Sequence, residues 1–286
     1  MVNSQIKVAL AAFLFSLSPL FIRRLDLDAY TLLWSSSLIV AVTLTIKTII
    51  QGRTDELTKF DKAIAVLIGL GVFTTINNSL FFSAIKITTV ANAMLTHYMA
   101  PVFVLIFGVL LIKEKVTKTS ALALVLSFIG LVIMISPNEF AFSNVHFLGL
   151  VLGTASAVFF ALEILSKKVL TRFYKADIIN IRYLLIAVVL LIPFVSFDEL
   201  LAIELAGLAS LLIWGVFVIA PGITLLLSGL KEVKTHHASI ISYIEPLGAI
   251  LWGFLIIAEL PVIETLVGGA LILFGTYLLM KYRNGK

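Results

Sequence analysis

Ten apolar runs, each about long enough to cross a bilayer, follow one another along the 286 residues with few residues between them. They fall at 5–22, 29–50, 62–84, 89–112, 117–136, 146–166, 177–197, 206–229, 236–258 and 261–281. A hydrocarbon core of about 30 Å takes roughly 20 apolar residues in helical form. Inside it every backbone N–H and C=O must be satisfied within the chain, which a helix achieves and a lipid-exposed loop does not. The sequence therefore predicts an all-α integral membrane protein with ten transmembrane helices. A soluble globule is excluded, because a chain that is 60% hydrophobic and 13% charged has too little polar surface to cover itself at this size. The short connections leave no room for a soluble domain, so any chemistry belongs inside the bundle. The first run lacks the small-residue cleavage pattern of a signal peptide and is expected to be an uncleaved first helix. With no cysteine, disulfides and thiolate metal sites are excluded, and neither a metal nor a cofactor is expected.

A net charge of +5 invites a nucleic-acid reading, but the placement of the charges points to topology instead. If the amino terminus is cytoplasmic, 17 lysines and arginines lie inside or near the inner surface, and only Arg23, Arg24 and Lys86 face outward, with Arg182 left within the seventh span. That is the positive-inside bias. Both termini are predicted cytoplasmic, in a multi-pass protein of the cell's inner (plasma) membrane. The acidic stretch "SFDELLAIELA" falls outside. No nucleic-acid partner is expected; the partners are the lipid bilayer and a small-molecule substrate, with the chain a monomer or a homodimer.

The fourth run, "AMLTHYMAPVFVLIFGVLLIKE", returns in the ninth as "ASIISYIEPLGAILWGFLIIAE". Tyr98 and Tyr243, Pro101 and Pro246, Gly108 and Gly253, and Glu114 and Glu259 all stand 145 residues apart. The same offset pairs Gly130 with Gly275, Lys86 with Lys231 and Arg23 with Lys168. The chain is thus expected to be a duplication, 1–140 and 141–286, forming one transmembrane domain. Each half has five helices, an odd number, so equivalent helices cross in opposite directions and the halves form an inverted repeat, the architecture of a transporter.

The ten-helix plan, the repeat, the Y-x-x-P…G…E run in the fourth and ninth spans, the basic ends of the first and sixth, and "NIRYLL" opening the seventh resemble the EamA-type family of the drug/metabolite transporter superfamily. The resemblance covers nearly the full length and rests on the repeated arrangement. It implies a central cavity lined by helices 1, 3, 4, 6, 8 and 9, with 5 and 10 behind. Members of that family include exporters of amino acids and related metabolites; relatives handle choline, nucleotide sugars and phosphorylated sugars. One departure is that the second span carries Trp34, in "TLLWSSS", where the seventh has Arg182.

Candidate site residues follow from the cost of polarity in lipid. Pro101 and Pro246 each remove a backbone donor and clash with the carbonyl four residues back, at His97 and Ser242, at about 3 kcal/mol or more in a helix interior. The freed carbonyls must face protein or a wet cavity. Pro19, with Ser16 and Ser18, and Pro221 are expected to kink the first and eighth spans likewise. Glu245 falls near mid-membrane, where an ionised carboxylate costs at least about 2.5 kcal/mol. It requires a proton, a partner or a cationic substrate; Glu163 is a second such acid. Arg182 is expected to pair with one of them or with a substrate carboxylate, and proton coupling is expected at the acids. Ser242 and Glu245, with His97 on the matching face, form the expected lumen face, flanked by Tyr98 and Tyr243. The run "TTINNS" places Asn77 and Asn78 in mid-membrane, opposite "IAPGIT" in the eighth span, so one half offers amides and the other broken backbone. Two plainer features complete the set. Glu114 and Glu259 are expected to bind loop lysines or the next helix's first turn, and His236 and His237, pointing about 100° apart, read as an interfacial or solvated pair and not a metal site.

No Walker loop exists, so ATP does not drive the protein directly. The reading is a secondary active transporter, an exporter of small polar or zwitterionic metabolites, amino acids first, by alternating access. An importer or exchanger of an organic cation such as choline is the alternative, and a non-transporting receptor or scaffold is the alternative from another class. An intramembrane enzyme would need a nucleophile and base, or a metal cluster, at a spacing absent here.

Overall fold

The computed structural model describes residues 2–22, 25–59, 63–88, 90–134, 144–257 and 263–281; of Pro19 and Lys86 only the backbone is described. Arg23, Arg24, Lys62, Glu259, Arg283 and Lys286 lie outside the described residues. The described residues are all helical or loop, and the predicted spans appear in order. The first is α1 (Val2–Phe15) continued by α2 (Ser18–Ile22), and the second is α3 (Ala29–Ile50). A short surface helix, α4 (Asp55–Thr58), precedes the third span, α5 (Ile64–Ile87). The fourth is split into α6 (Val90–His97) and α7 (Ala100–Ile112), and the fifth is α8 (Lys118–Met134). The sixth, α9 (Asn144–Leu170), runs a turn beyond its predicted end. The seventh, α10 (Ala176–Leu191), ends in a 3₁₀ turn holding Pro193, and α11 (Phe197–Ala202) crosses the loop after it. The eighth joins α12 (Leu205–Ile213), a π-helical stretch Trp214–Ile219 and α13 (Ala220–Leu230). The ninth is split into α14 (Thr235–Ile241) and α15 (Ile244–Ile257), and the tenth is α16 (Ile263–Lys281). Seven of these spans are long and apolar enough to cross a membrane as they stand, and the first, fifth and tenth contribute shorter apolar helices. Large side chains such as Leu110, Phe147 and Val189 stay exposed around the outside, a belt that lipid covers.

Packing repeats across the halves. α5 packs along α9 and α13 along α1; α3 lies on α10 and α8 on α16. The last contact is reciprocal residue by residue. A Cβ on Gly130 would sit 2.5 Å from the Gly268 carbonyl and 3.0 Å from Ile272, and a Cβ on Gly275 would sit 2.8 Å from the Ala123 carbonyl and 2.4 Å from Ser127. Shifting one set by 145 residues gives the other, which is the signature of packing about a twofold axis. Small residues permit that backbone approach, and Gly149 of the sixth span does the same against Thr88 at the end of α5, as Gly153 does against Thr96 in the fourth span.

Each predicted proline kink falls at a real interruption. α1 stops at Phe15 and resumes at Ser18 after a turn. α6 gives way to α7 at Tyr98–Met99, and α14 to α15 at Ser242–Tyr243. In the eighth span Pro221 has no N–H to give, and the preceding turn widens so that the Ala220 N–H reaches back to Gly215. One expectation is corrected: the Ser242 carbonyl is not left free, because the Glu245 N–H takes it at 2.9 Å in a tightened turn.

Among the described residues Lys47, Arg53, Lys168 and Lys175 gather at one end of the bundle, called here the basic face. There Asp177 holds Lys47 at 3.1 Å and Arg53 at 3.2 Å, and Glu56 holds Arg53 at 2.9 Å and Lys175 at 2.7 Å. Lys168 Nζ donates to the carbonyls of Leu230 at 2.5 Å and Val233 at 2.7 Å, satisfying acceptors at the end of α13. At the same face α14 packs on α7. Their counterparts at the other end, α6 and α15, make at most marginal contact among the described residues.

Candidate functional site

The two broken spans meet at their breaks. The interruption at Tyr98–Met99 leaves the Tyr98 carbonyl without its helical donor, because the Val102 N–H turns to Met99. The Tyr243 hydroxyl donates to that carbonyl at 2.7 Å, and the two tyrosine rings lie 6.0 Å apart. Tyr243 is fully buried. The tyrosines therefore hold the break closed, and the space beside them belongs to their neighbours.

Glu245 sits in the first turn of α15, where the N-terminal end of the helix dipole favours a negative charge. It is half-buried, within Coulombic range of the Tyr98 hydroxyl, and has no ion pair among the described residues. Ser242 faces back along its helix, its hydroxyl donating to the Ala238 carbonyl at 3.0 Å. On the other broken span His97 ends α6. Its ring packs on Phe81 at 4.2 Å and meets Phe160 edge-on at 5.5 Å. His97 Nδ1 lies 2.8 Å from Ser156 Oγ, and that hydroxyl donates its single hydrogen to the Gly153 carbonyl at 2.7 Å. The network therefore assigns the hydrogen to His97 Nδ1 and leaves Nε2 an acceptor.

A second polar cluster lies further toward the basic face. Asn77 Nδ2 donates to Glu163 Oε2 at 3.2 Å, and Lys167 Nζ donates to Glu163 Oε1 at 2.5 Å. Lys167 also lies 5.0 Å from the centre of the Tyr183 ring. Glu163 is 5% exposed and Lys167 4%, so this is an ion pair shut inside the bundle. Asn77 Oδ1 and Thr74 Oγ1 are buried there with no partner among the described residues. Asn78 does not join them; its amide donates to the Thr74 carbonyl in its own helix.

Arg182 is corrected. It pairs with neither Glu245 nor Glu163. Its guanidinium donates to the backbone carbonyls of Glu56, Leu57 and Lys59, closing the end of α4, and lies 4.7 Å from the Tyr174 ring. The cation that answers Glu163 is Lys167, one turn along the same helix. The two neighbouring histidines are also corrected from a solvated pair to a buried one. His236 Nδ1 donates to Glu114 at 2.8 Å, and His237 Nε2 meets Ser120 Oγ at 2.9 Å. Glu114 further accepts the Thr235 N–H at 2.9 Å and the Thr235 hydroxyl at 2.9 Å, capping α14. Burial raises the Glu114 carboxyl, and the bonds from His236 and Thr235 outweigh it, holding the group at about 2. No cluster of metal-ligating side chains is present among the described residues.

Sequence reasoning missed Lys167, Tyr183, Ser156, Phe81 and Phe160. The first had a signal, the four-residue spacing from Glu163; the others are ordinary residues whose role depends on which helices meet.

A bundle of apolar helices in which two broken spans meet at their breaks, with carboxylates inside, is an integral membrane architecture of transporter type. The chain matches the EamA-like transporter family over residues 4–136 and 147–281, and it belongs to that family. An uncharacterized transporter of Archaeoglobus fulgidus is 32% identical over 213 residues, covering 73% of this chain and 74% of that one. The pseudopaline exporter CntI of Pseudomonas aeruginosa is 25% identical over 230 residues, 78% of each chain. A solved crystal structure superposes with a TM-score of 0.83 at 16% identity, over 98% of this chain and 99% of that one, and shares the fold.

Proposed function

We propose that the protein is a secondary active exporter of small polar or zwitterionic metabolites, amino acids first, working by alternating access between two five-helix repeats, 1–140 and 141–286. The observation that carries this reading is Glu245, a carboxylate without an ion pair among the described residues, at the start of a broken helix and beside the contact between the repeats. A charge left unpaired at this depth is costly unless it exchanges a proton or a cationic group during the cycle. Half-helices whose ends point into the middle of the bundle are the usual ligand and ion sites of inverted-repeat carriers. The pseudopaline exporter among the relatives supports the outward direction.

The basic face is taken as cytoplasmic by charge bias, with both termini there and the protein in the inner membrane, as a monomer or homodimer. On that assignment the α7–α14 contact closes the inner end, and the looser α6–α15 pair marks an outward-facing state. The kinks at Pro19, Pro101, Pro221 and Pro246 are where the repeats flex as they exchange states. The relatives' names as transporters support a protein without enzymatic activity.

Organic cations are the second reading, favoured by the aromatic rings of Phe81, Tyr98 and Phe160 around His97, since such rings attract quaternary amines. Counterflow in proteoliposomes separates the two. Amino-acid flux driven by a pH gradient, losing that dependence in Glu245→Gln, supports export of zwitterions. Flux of choline alone supports the second reading, and absence of flux for every solute tested rejects both.

A further inference from the structure

Resting on the transporter reading, the buried pair on α9 points to the part of the substrate it recognises. We propose that Glu163 and Lys167 together form the receptor for the ammonium and carboxylate groups of one α-amino acid, which opens the pair by inserting between its two charges. In the present conformation the two side chains satisfy each other at 2.5 Å with almost no exposure. A single-charged ligand entering such a pair leaves one buried charge without a counter-ion, the costly outcome in a low-dielectric interior. A zwitterion replaces one ion pair by two and leaves the net charge at zero, so it enters without that penalty.

The surroundings fit each end. An ammonium presents three N–H groups. Glu163 offers its carboxylate, Asn77 Oδ1 is a buried acceptor with no donor, and Thr74 Oγ1, one turn away on the same face of α5, is another buried oxygen with no partner. A carboxylate would meet the Lys167 ammonium with the Tyr183 side chain beside it. The pair is also placed on a route, because Ser156, Phe160, Glu163 and Lys167 recur at helical spacing on one stripe of α9 from His97 to the basic face. This assignment gives the substrate ammonium to Glu163 and leaves Glu245 to carry the proton.

The test is thermal stabilisation of the purified full chain by each of the twenty proteinogenic amino acids and by their decarboxylated amines, on wild type, Lys167→Met and Glu163→Gln. Binding to the folded form raises the melting temperature with ligand concentration. Wild type is expected to be stabilised by at least one amino acid and not by its amine at equal concentration. Lys167→Met should weaken amino-acid binding at least tenfold while bringing the amine to comparable affinity, and Glu163→Gln should weaken both. Amino-acid affinity within twofold of wild type in Lys167→Met overturns the proposal and leaves the pair a helix brace. Stabilisation of wild type by amines alone also overturns it, while flux in liposomes would leave the transporter reading standing. If Lys167→Met does not fold, Asn77→Ala, which spares the ion pair, decides: at least a threefold loss supports the proposal, and unchanged affinity overturns it.

Discussion

The Tyr243 hydroxyl donates to the carbonyl of Tyr98, its own counterpart 145 residues earlier, and so joins the two halves at equivalent breaks. The bond is asymmetric: only one of the two hydroxyls faces the other's backbone in this way. An exact twofold axis would add the reciprocal bond from the Tyr98 hydroxyl to the Tyr243 carbonyl; among the described residues only one of the two is made, so the halves differ at this point, and the choice of donor can change when they exchange shapes.

Tyr243→Phe leaves the Tyr98 carbonyl without that donor in a buried place. Such a loss costs about 1–3 kcal/mol. A lower melting temperature in detergent is expected, with Tyr98→Phe nearly neutral, since its hydroxyl does not make the cross-half bond. Equal shifts for the two variants would contradict the assignment of donor and acceptor.

Glu245→Gln should fold as wild type does, because removing this charge breaks no ion pair among the described residues, while pH-gradient-driven flux is abolished. Glu163→Gln behaves differently. It strands the Lys167 ammonium in the bundle, and breaking a buried pair costs about 3–5 kcal/mol. Melting curves of the two variants, taken side by side, check the contrast.

Much of the architecture is legible in the sequence because the forces that set it act along the chain. Apolar run length gives the spans, and Pro101 and Pro246 mark the breaks. Arg182 was not legible. Its position along the seventh span is readable, but its rotation toward the carbonyls of Glu56, Leu57 and Lys59 depends on a loop over 120 residues away. Lys167 was hidden for a different reason: beside Lys168 at a helix end, it reads as a topological charge, yet the two diverge, one to Glu163 and one to the end of α13. His236 looks solvated until Glu114, brought from the other half, covers it.

The corrected Arg182 leads to its own prediction. A guanidinium presents several donors in a fixed plane and stacks on an aromatic ring; an ammonium does neither as well. Arg182→Lys keeps the charge, but its shorter side chain draws back from the carbonyls that the single nitrogen Nη2 reaches, and it loses the planar stacking on Tyr174. Stability should fall by about 1–3 kcal/mol, with proteolysis rising first in the loop that carries α4. Substrate preference in liposomes should not change. A changed preference with unchanged stability would return Arg182 to the substrate site.

Glu114 sets the response to acid at the basic face. Its carboxyl is held at about 2 in the folded protein against an ordinary value of 4.5. A group depressed by folding contributes stability that is complete above its unfolded value and is lost as pH falls toward the folded one. The Glu114 contribution is therefore present in full above about pH 4.5 and is lost progressively toward pH 2. Protonation removes the negative charge that caps α14 and holds His236, so the ends of α7 and α14 at the basic face should separate first. A melting temperature followed from pH 7 to pH 3 should fall below about pH 4.5 in wild type. In Glu114→Gln it should start lower and fall less, since the titrating group is gone. Glu56, also held at about 2, chiefly by Arg53 and then Lys175, titrates over the same range but is more exposed, so salt weakens its share. Repeating the titration at high ionic strength should thus flatten the Glu56 component and leave the difference between wild type and Glu114→Gln. If that difference vanishes in salt, the Glu114 cap is a surface contact and not part of the buried packing of α14 on α7.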